Sequence, residues 1–235
     1  MQKTLALHGF LQTGDVFLKK LGQLRKYLKH TTTFDVIDAP VSIHPHALNE
    51  DSGLVECTAE CVGVDGSVSI QHSMVPADPE GTDTNRYLGW WVSDVPGFDV
   101  KTRYYIEEAL DYIEEYILET KPDVILAFSQ GASSLALLLH RWGSNPPAFI
   151  KSAIMISPAG APGTEGLDKV HSPISTHLIY GEQDYIVPNE LSLRVGDALA
   201  LDGVHPHDGK HFVPAASRHR PIWAEIYGIT PPEQK

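Results

Sequence analysis

Residues 124 to 131 read V-I-L-A-F-S-Q-G, and the chain runs straight on through A-S-S-L-A-L-L-L-H-R-W at 132 to 142. The first five residues are an unbroken apolar run of the kind that forms a strand buried on both faces, and the later stretch is a helix former. Ser129 therefore stands at a strand-to-helix turn. Such a turn holds a serine in a strained conformation with its hydroxyl exposed, as a serine nucleophile requires, and it closes only if the residues two before and two after are small. Here they are Ala127 and Gly131. Alanine departs from the usual G-x-S-x-G by one methyl group, and the same residues also describe a serine that caps an ordinary helix. The rest of the chain decides between the two.

At 235 residues and 42% hydrophobic content the chain can bury a full core, and one α/β domain over 1–235 is the natural count. A formal charge of -12 repels phosphate backbones and anionic lipid headgroups, and no basic stripe reverses the sign locally. Nucleic acid and membrane are thereby excluded as expected partners. The longest apolar runs fall well short of the ~20 residues of a membrane span, and a first strand starting at Lys3 leaves no room for a signal peptide, so a soluble cytoplasmic protein is expected. The two cysteines, Cys57 and Cys61, have neither zinc nor redox spacing and read as incidental reduced thiols.

Alternating strands and helices follow along the chain. Strands are expected at Lys3 to His8, Thr33 to Ile37, Val124 to Phe128, Ser152 to Ile156, His177 to Tyr180 and near Val204. Helices are expected at Asp15 to Leu28, from Thr102 through Ile117, from Gln130, from Glu190 to about Ala200, and around Pro221 to Ile226. This order implies a doubly wound, mainly parallel sheet with helices on both faces. From Val41 to about Asp99 the texture becomes rich in Gly, Pro, Asp and Ser, which reads as an irregular, lid-like insertion (41–99). Within it, V-G-V-D-G-S-V-S-I has the composition of a β-hairpin turning on Asp65-Gly66, and S-D-V-P-G-F-D reads as the loop returning to the core.

Parallel α/β sheets carry their sites at the carboxyl ends of strands, and four exits are chemically loaded. L-H-G-F-L-Q-T-G leaves the first strand, where His8 and Gly9 turn the chain and the Phe10 N–H can point to the centre of the sheet. The Gln130 N–H follows Ser129 at a helix start, so these two amides together form an expected oxyanion hole. Y-G-E-Q-D-Y-I-V-P leaves a third strand and offers Asp184, with Glu182 as the competing carboxylate. H-P-H-D-G-K-H-F-V-P offers His205, His207 and His211, of which His211 alone lies on a loop free to swing over the serine. The chain order Ser129, Asp184, His211 is that of α/β-hydrolases.

At this point the chain resembles the FSH group of serine hydrolases found in fungi and animals. The matching residues are L-H-G-F-L-Q-T-G at 7 to 14, D-A-P at 38 to 40, W-W at 90 to 91, F-S-Q-G-A at 128 to 132, Y-G-E-Q-D-Y-I-V-P at 180 to 188, and H-F-V-P with R-P-I at 211 to 222. The resemblance implies an α/β-hydrolase fold, with Ser129 as nucleophile, Asp184 as orienting acid and His211 as base. It also implies esterase or thioesterase activity on a small-molecule acyl ester or thioester, free or bound to a carrier or synthase, with no cofactor. Ala127 replaces the family's glycine, and residues 44 to 89 follow no family pattern.

Trp90, Trp91 and Phe212 are the expected substrate-binding residues. Adjacent tryptophans in an extended chain face opposite ways, so one is expected in the core and the other at the pocket or its rim, with simple packing of both as the favoured alternative. A metal-dependent hydrolase built on His205, His207 and His211, or on His44 and His46, is the weaker chemical alternative, and no metal is expected. A ligand-binding module on the same scaffold is the other alternative; the complete set of three side chains favours an enzyme.

Overall fold

The computed structural model describes residues 1–49, 54–62, 67–76, 86–93, 103–164 and 168–229. β1 (Gln2–Leu7) leads through α1 (Gly14–Lys20) and α2 (Gly22–Leu28) to β2 (Thr32–Ile37). An antiparallel region follows: β3 (Val41–Asn49), β4 (Leu54–Val62), β5 (Val68–Pro76), β6 (Tyr87–Gly89), and the short pair β7 (Val92–Ser93) and β8 (Arg103–Tyr104). The alternation then resumes with α3 (Ile106–Thr120), β9 (Val124–Phe128), α4 (Gln130–Trp142), β10 (Ser152–Ile156), β11 (Ser175–Gly181), α5 (Asn189–Leu193), α6 (Val195–Ala198), β12 (Gly203–His207) and α7 (Arg220–Ile226).

Six strands form one sheet in the order β12-β11-β10-β9-β1-β2, and every described pairing in it is parallel. The chain winds outward from β1 to β2, then crosses to the other side of β1 to lay down β9 and the rest. The reversal leaves a crevice at the carboxyl ends of β1 and β9, where residues 8–10 and Ser129 emerge.

Strand periodicity divides the core between the two faces of this sheet. Val124, Leu126 and Phe128 of β9 pack with Phe17, Leu21, Leu24, Leu28, Trp223 and Tyr227, whereas Ile125 and Ala127 pack with Ala109, Ile113, Ile117 and Leu135. Both faces are covered, which is why β9 reads as unbroken apolar sequence. No described helix is long and apolar enough to cross a membrane.

Two expected helices are divided. Asp15 to Leu28 becomes α1 and α2, joined at Leu21 with ψ 0, immediately before Gly22, whose poor helix propensity lets the axis bend. The ladder nevertheless continues through Leu21 N–H to Phe17 O (3.0 Å) and Arg25 N–H to Leu21 O (2.8 Å), so the apolar face is kept. The helix expected from Glu190 to Ala200 becomes α5 and α6, divided at Arg194.

The larger correction concerns residues 41–99. Rather than irregular chain, its described part is a four-stranded antiparallel sheet in the order β5-β4-β3-β6. Val41, Ile43, Cys57, Ala59 and Cys61 alternate onto its inner face and bury together. Cys57 and Cys61 are buried and not joined in a disulfide, and at about 3.4 Å per residue they lie ~13 Å apart along β4, beyond disulfide reach. Burial pushes the Cys61 thiol up to about 11, with Glu108 adding to it. The hairpin exists, with Val62 of β4 paired to Val68 of β5. Asp65-Gly66 itself, and most of the S-D-V-P-G-F-D stretch, lie outside the described residues.

Candidate active site

Ser129 occupies φ 54, ψ -118, a region that side-chain-bearing residues rarely adopt. The conformation is enforced from three sides. Its N–H donates to Ile156 O (2.8 Å) on β10, its carbonyl accepts the Ser133 N–H (3.0 Å) in the first turn of α4, and Gly131 permits a backbone approach no other residue allows. Gly9 has a matching role across the crevice, since a Cβ there would sit 3.3 Å from that of Ser129 and 3.1 Å from the Phe128 ring. The loop after β1 is thus brought directly against the serine.

His211 sits between the other two candidate side chains. Its Nε2 is 3.0 Å from Ser129 Oγ and its Nδ1 is 2.7 Å from Asp184 Oδ2. Asp184 is held in turn: Oδ1 accepts the N–H groups of Ile186 (3.0 Å) and Val187 (2.9 Å). Burial works to raise its pKa, but the His211 hydrogen bond, these two amides and the His211 charge outweigh it, keeping the carboxyl below its ordinary range. The two loops carrying Asp184 and His211 are bonded to one another, with Glu182 N–H donating to His207 O (2.8 Å) and Gln183 N–H to Gly209 O (2.9 Å). Glu182, the competing carboxylate, is exposed.

Two further devices escaped the sequence reading. His8 is fully buried with both nitrogens engaged: Nδ1 lies 2.7 Å from the Gly9 carbonyl and Nε2 accepts the Ala39 N–H (2.9 Å). Burial depresses its pKa to about 4, so the neutral ring donates from Nδ1, fixing the turn into Phe10. The D-A-P stretch thereby acquires a role, with Ala39 bonding His8 and Asp38 Oδ1 accepting the Gly14 N–H (2.7 Å). Gln130, expected only for its amide, also clamps the antiparallel region, its Oε1 accepting the Trp90 N–H (2.8 Å) and its Nε2 donating to Trp91 O (2.8 Å). A glutamine directly after the serine is the one signal that was available. The N–H groups of Phe10 and Gln130 donate to no acceptor among the described residues.

Of the expected substrate contacts, Trp90 is a correction. It is 0% exposed, and its Nε1 donates to His8 O (2.8 Å), which makes it a core prop of the loop. Trp91 is half-buried beneath the Arg103 guanidinium, 5.5 Å from the ring centroid. Phe212 is 37% exposed and, with Lys20, Phe128, His211 and Val213, lines a cleft of about 270 Å³. Larger clefts of about 620 and 420 Å³ exist, but no residue of the Ser129, His211 and Asp184 constellation lines them. The histidine set weighed for zinc is not brought together. His205 faces His177 (3.2 Å) and His207 faces His219, while both ring nitrogens of His211 are engaged by Asp184 and Ser129. Of His44 and His46, the side chain of His46 lies outside the described residues.

A family profile described as "Serine hydrolase (FSH1)" matches residues 1–221. Among curated proteins, "Esterase OVCA2" of Danio rerio is 28% identical over 237 residues, covering 95% of this chain and 95% of that protein. Among solved structures, Zea mays acyl-protein thioesterase 2 superposes with a TM-score of 0.60 at 15% identity, over 96% of this chain and 93% of its own. Arabidopsis thaliana SOBER1 does so with a TM-score of 0.57 at 14% identity, over 97% of each chain. The fold is that of the α/β-hydrolases.

Proposed function

This chain belongs to the FSH1 serine hydrolase family, and on that premise we propose that it cleaves carboxylic esters or thioesters through an acyl-enzyme on Ser129. The observation that carries the reading is the unbroken hydrogen-bonded line from Asp184 Oδ2 through the His211 imidazole to Ser129 Oγ.

In this mechanism Asp184 holds the His211 proton on Nδ1, which leaves Nε2 free to accept. Ser129 Oγ attacks the acyl carbonyl as its proton passes to Nε2, and the amides of Phe10 and Gln130 receive the oxyanion. The imidazolium then protonates the departing alkoxide or thiolate. Water, deprotonated by His211, attacks the acyl-enzyme and releases the acid and free Ser129.

Phe128, Phe212 and Val213 make the adjoining cleft largely apolar, and its volume lies below the roughly 300–1,000 Å³ of pockets for drug-sized ligands. A short acyl or leaving group fits it best. The antiparallel sheet serves as a wall of the site, because Gln12 bridges to Leu88 and a Cβ on Gly89 would meet the Phe10 ring at 2.8 Å.

Purified protein, a fluorophosphonate label and a series of p-nitrophenyl esters of increasing length test this. The label should attach to Ser129, and Ser129→Ala should lower turnover on the order of 10⁶. Wild-type turnover by Ser129→Ala would refute the assignment.

A further inference from the structure

Below the His211 loop lies a second group of titratable side chains for which the reaction has no use. His207 is the last residue of β12, Asp208 follows it, and His219 stands just before α7. One ring nitrogen from each histidine and one carboxylate oxygen of Asp208 all lie within 4.8 Å of one another. The two rings meet edge-on at 5.3 Å, and His219 Nε2 is 3.8 Å from Asp208 Oδ1. His207 and His219 are 4% and 5% exposed, yet the Nε2 of each has no hydrogen-bond partner among the described residues. Two buried, unsatisfied imidazole nitrogens are costly, and a bound group that satisfies them relieves that cost.

We propose that His207, Asp208 and His219 form a binding site for a divalent transition-metal ion, zinc foremost, whose occupancy restrains the loop carrying His211. Two imidazoles and one carboxylate suit such an ion and leave a position for water. Zinc bonds of about 2.0–2.1 Å place tetrahedral ligand atoms roughly 3.3 Å apart, so the group has to contract. The ligand free to move is the exposed one, Asp208, which gives up an exposed pairing with Arg218 (3.3 Å).

Occupancy reaches the active site through Gly209. Its N–H donates to His207 Nδ1 (3.1 Å), which leaves the proton of the neutral ring on Nε2. Metal at Nε2 displaces that proton, and Nδ1 takes one up from solvent, so the ring stays neutral and the Gly209 contact is lost. Gly209 O also accepts the Gln183 N–H next to Asp184, and His211 follows two residues later. A metal clip joining residues 207 and 219 therefore closes the loop and disturbs the bonds that position His211. Hydrolysis slows while the protein becomes more resistant to heat.

The test uses the purified full chain with cobalt chloride as a spectroscopic probe and zinc chloride as the inhibitor. Expected are visible cobalt d–d bands saturating at one ion per chain, a zinc-dependent rise in Tm, and slowed p-nitrophenyl ester hydrolysis. All three should weaken by about tenfold or more in ion affinity in His219→Gln and in Asp208→Asn, the latter an exposed change that does not threaten folding. Ser129→Ala should bind cobalt like the wild type, so the metal readout stands or falls apart from the esterase mechanism. Absent bands, or bands unchanged in both variants, overturn the site. Zinc inhibition that persists in both variants places the ion at His211 and Asp184 and overturns the coupling, as does cobalt binding here with unchanged turnover.

Discussion

The Cα of Gly131 lies against the carbonyl of His8: a Cβ built there would sit 2.5 Å from the His8 oxygen and 2.9 Å from that of Leu7. The elbow that carries Ser129 and the loop that carries Phe10 therefore touch backbone to backbone. Neither neighbour is a flexible side chain, so Gly131→Ala is expected to destabilise the protein by about 3 kcal/mol, with a lower Tm and loss of ester turnover. A wild-type Tm would show that the two loops separate at little cost.

Ala127 presents the opposite case. It is 0% exposed and paired in register with Leu7 and Met155, so the backbone is already held from both sides. Ala127→Gly should cost about 1 kcal/mol in denaturant melts and leave turnover intact. A collapse of turnover at near-normal stability would mean that this methyl group shapes the elbow.

Asp184→Asn should fold, because the amide oxygen can still accept the Ile186 and Val187 N–H groups. It no longer holds the His211 proton on Nδ1, and kcat is expected to fall on the order of 10⁴. Steady-state kinetics on one p-nitrophenyl ester decide it; a loss confined to KM would assign Asp184 to binding.

Gln130→Leu removes the partners of the Trp90 N–H and the Trp91 carbonyl while keeping the Gln130 amide. The unpaired groups cost about 2 kcal/mol, and near-UV circular dichroism of the tryptophans should change together with kcat. An unchanged spectrum would argue that the clamp is dispensable.

Acid stability follows from the buried histidines. His8 has its pKa depressed from 6.5 to about 4, chiefly by burial, and so does His207. Between these values the unfolded chain binds a proton that the folded protein excludes. The histidine contribution to stability therefore falls as pH drops from about 6.5 to about 4 and is constant below, by on the order of 3 kcal/mol for His8 alone. Chemical denaturation at a series of pH values should show this slope, reduced in His8→Asn.

Trimming the tip of the β4–β5 hairpin tests the antiparallel sheet as a wall of the site. The preference among p-nitrophenyl esters of different chain lengths should shift while short-ester turnover stays. An unchanged profile in a folded variant would show that this hairpin does not border the substrate and would leave the wall to β6, where Leu88 and Gly89 meet the Phe10 loop.

The sequence by itself determined the parallel core and the three side chains of the central constellation. A strand buried on both faces, such as Val124 to Phe128, announces itself through unbroken apolar residues, and Ser129, Asp184 and His211 are each tied to a strand exit, a local feature. Residues 41–99 were misread because their Gly, Pro and polar content masked the alternation of Val41, Ile43, Cys57, Ala59 and Cys61, which acquires meaning only when strands pair across long separations.

Only the tertiary structure decided which polar groups meet. His8 with Ala39, Gln130 with Trp90 and Trp91, and His207 with His219 are contacts between distant segments, set by the register of the sheet and the crossing of chain between β1 and β9. Burial, hydrogen bonding and depressed pKa values arise from those meetings, and no local pattern encodes them. A side chain tied to one strand end was legible in the chain, whereas contacts that depend on two surfaces closing on each other were not.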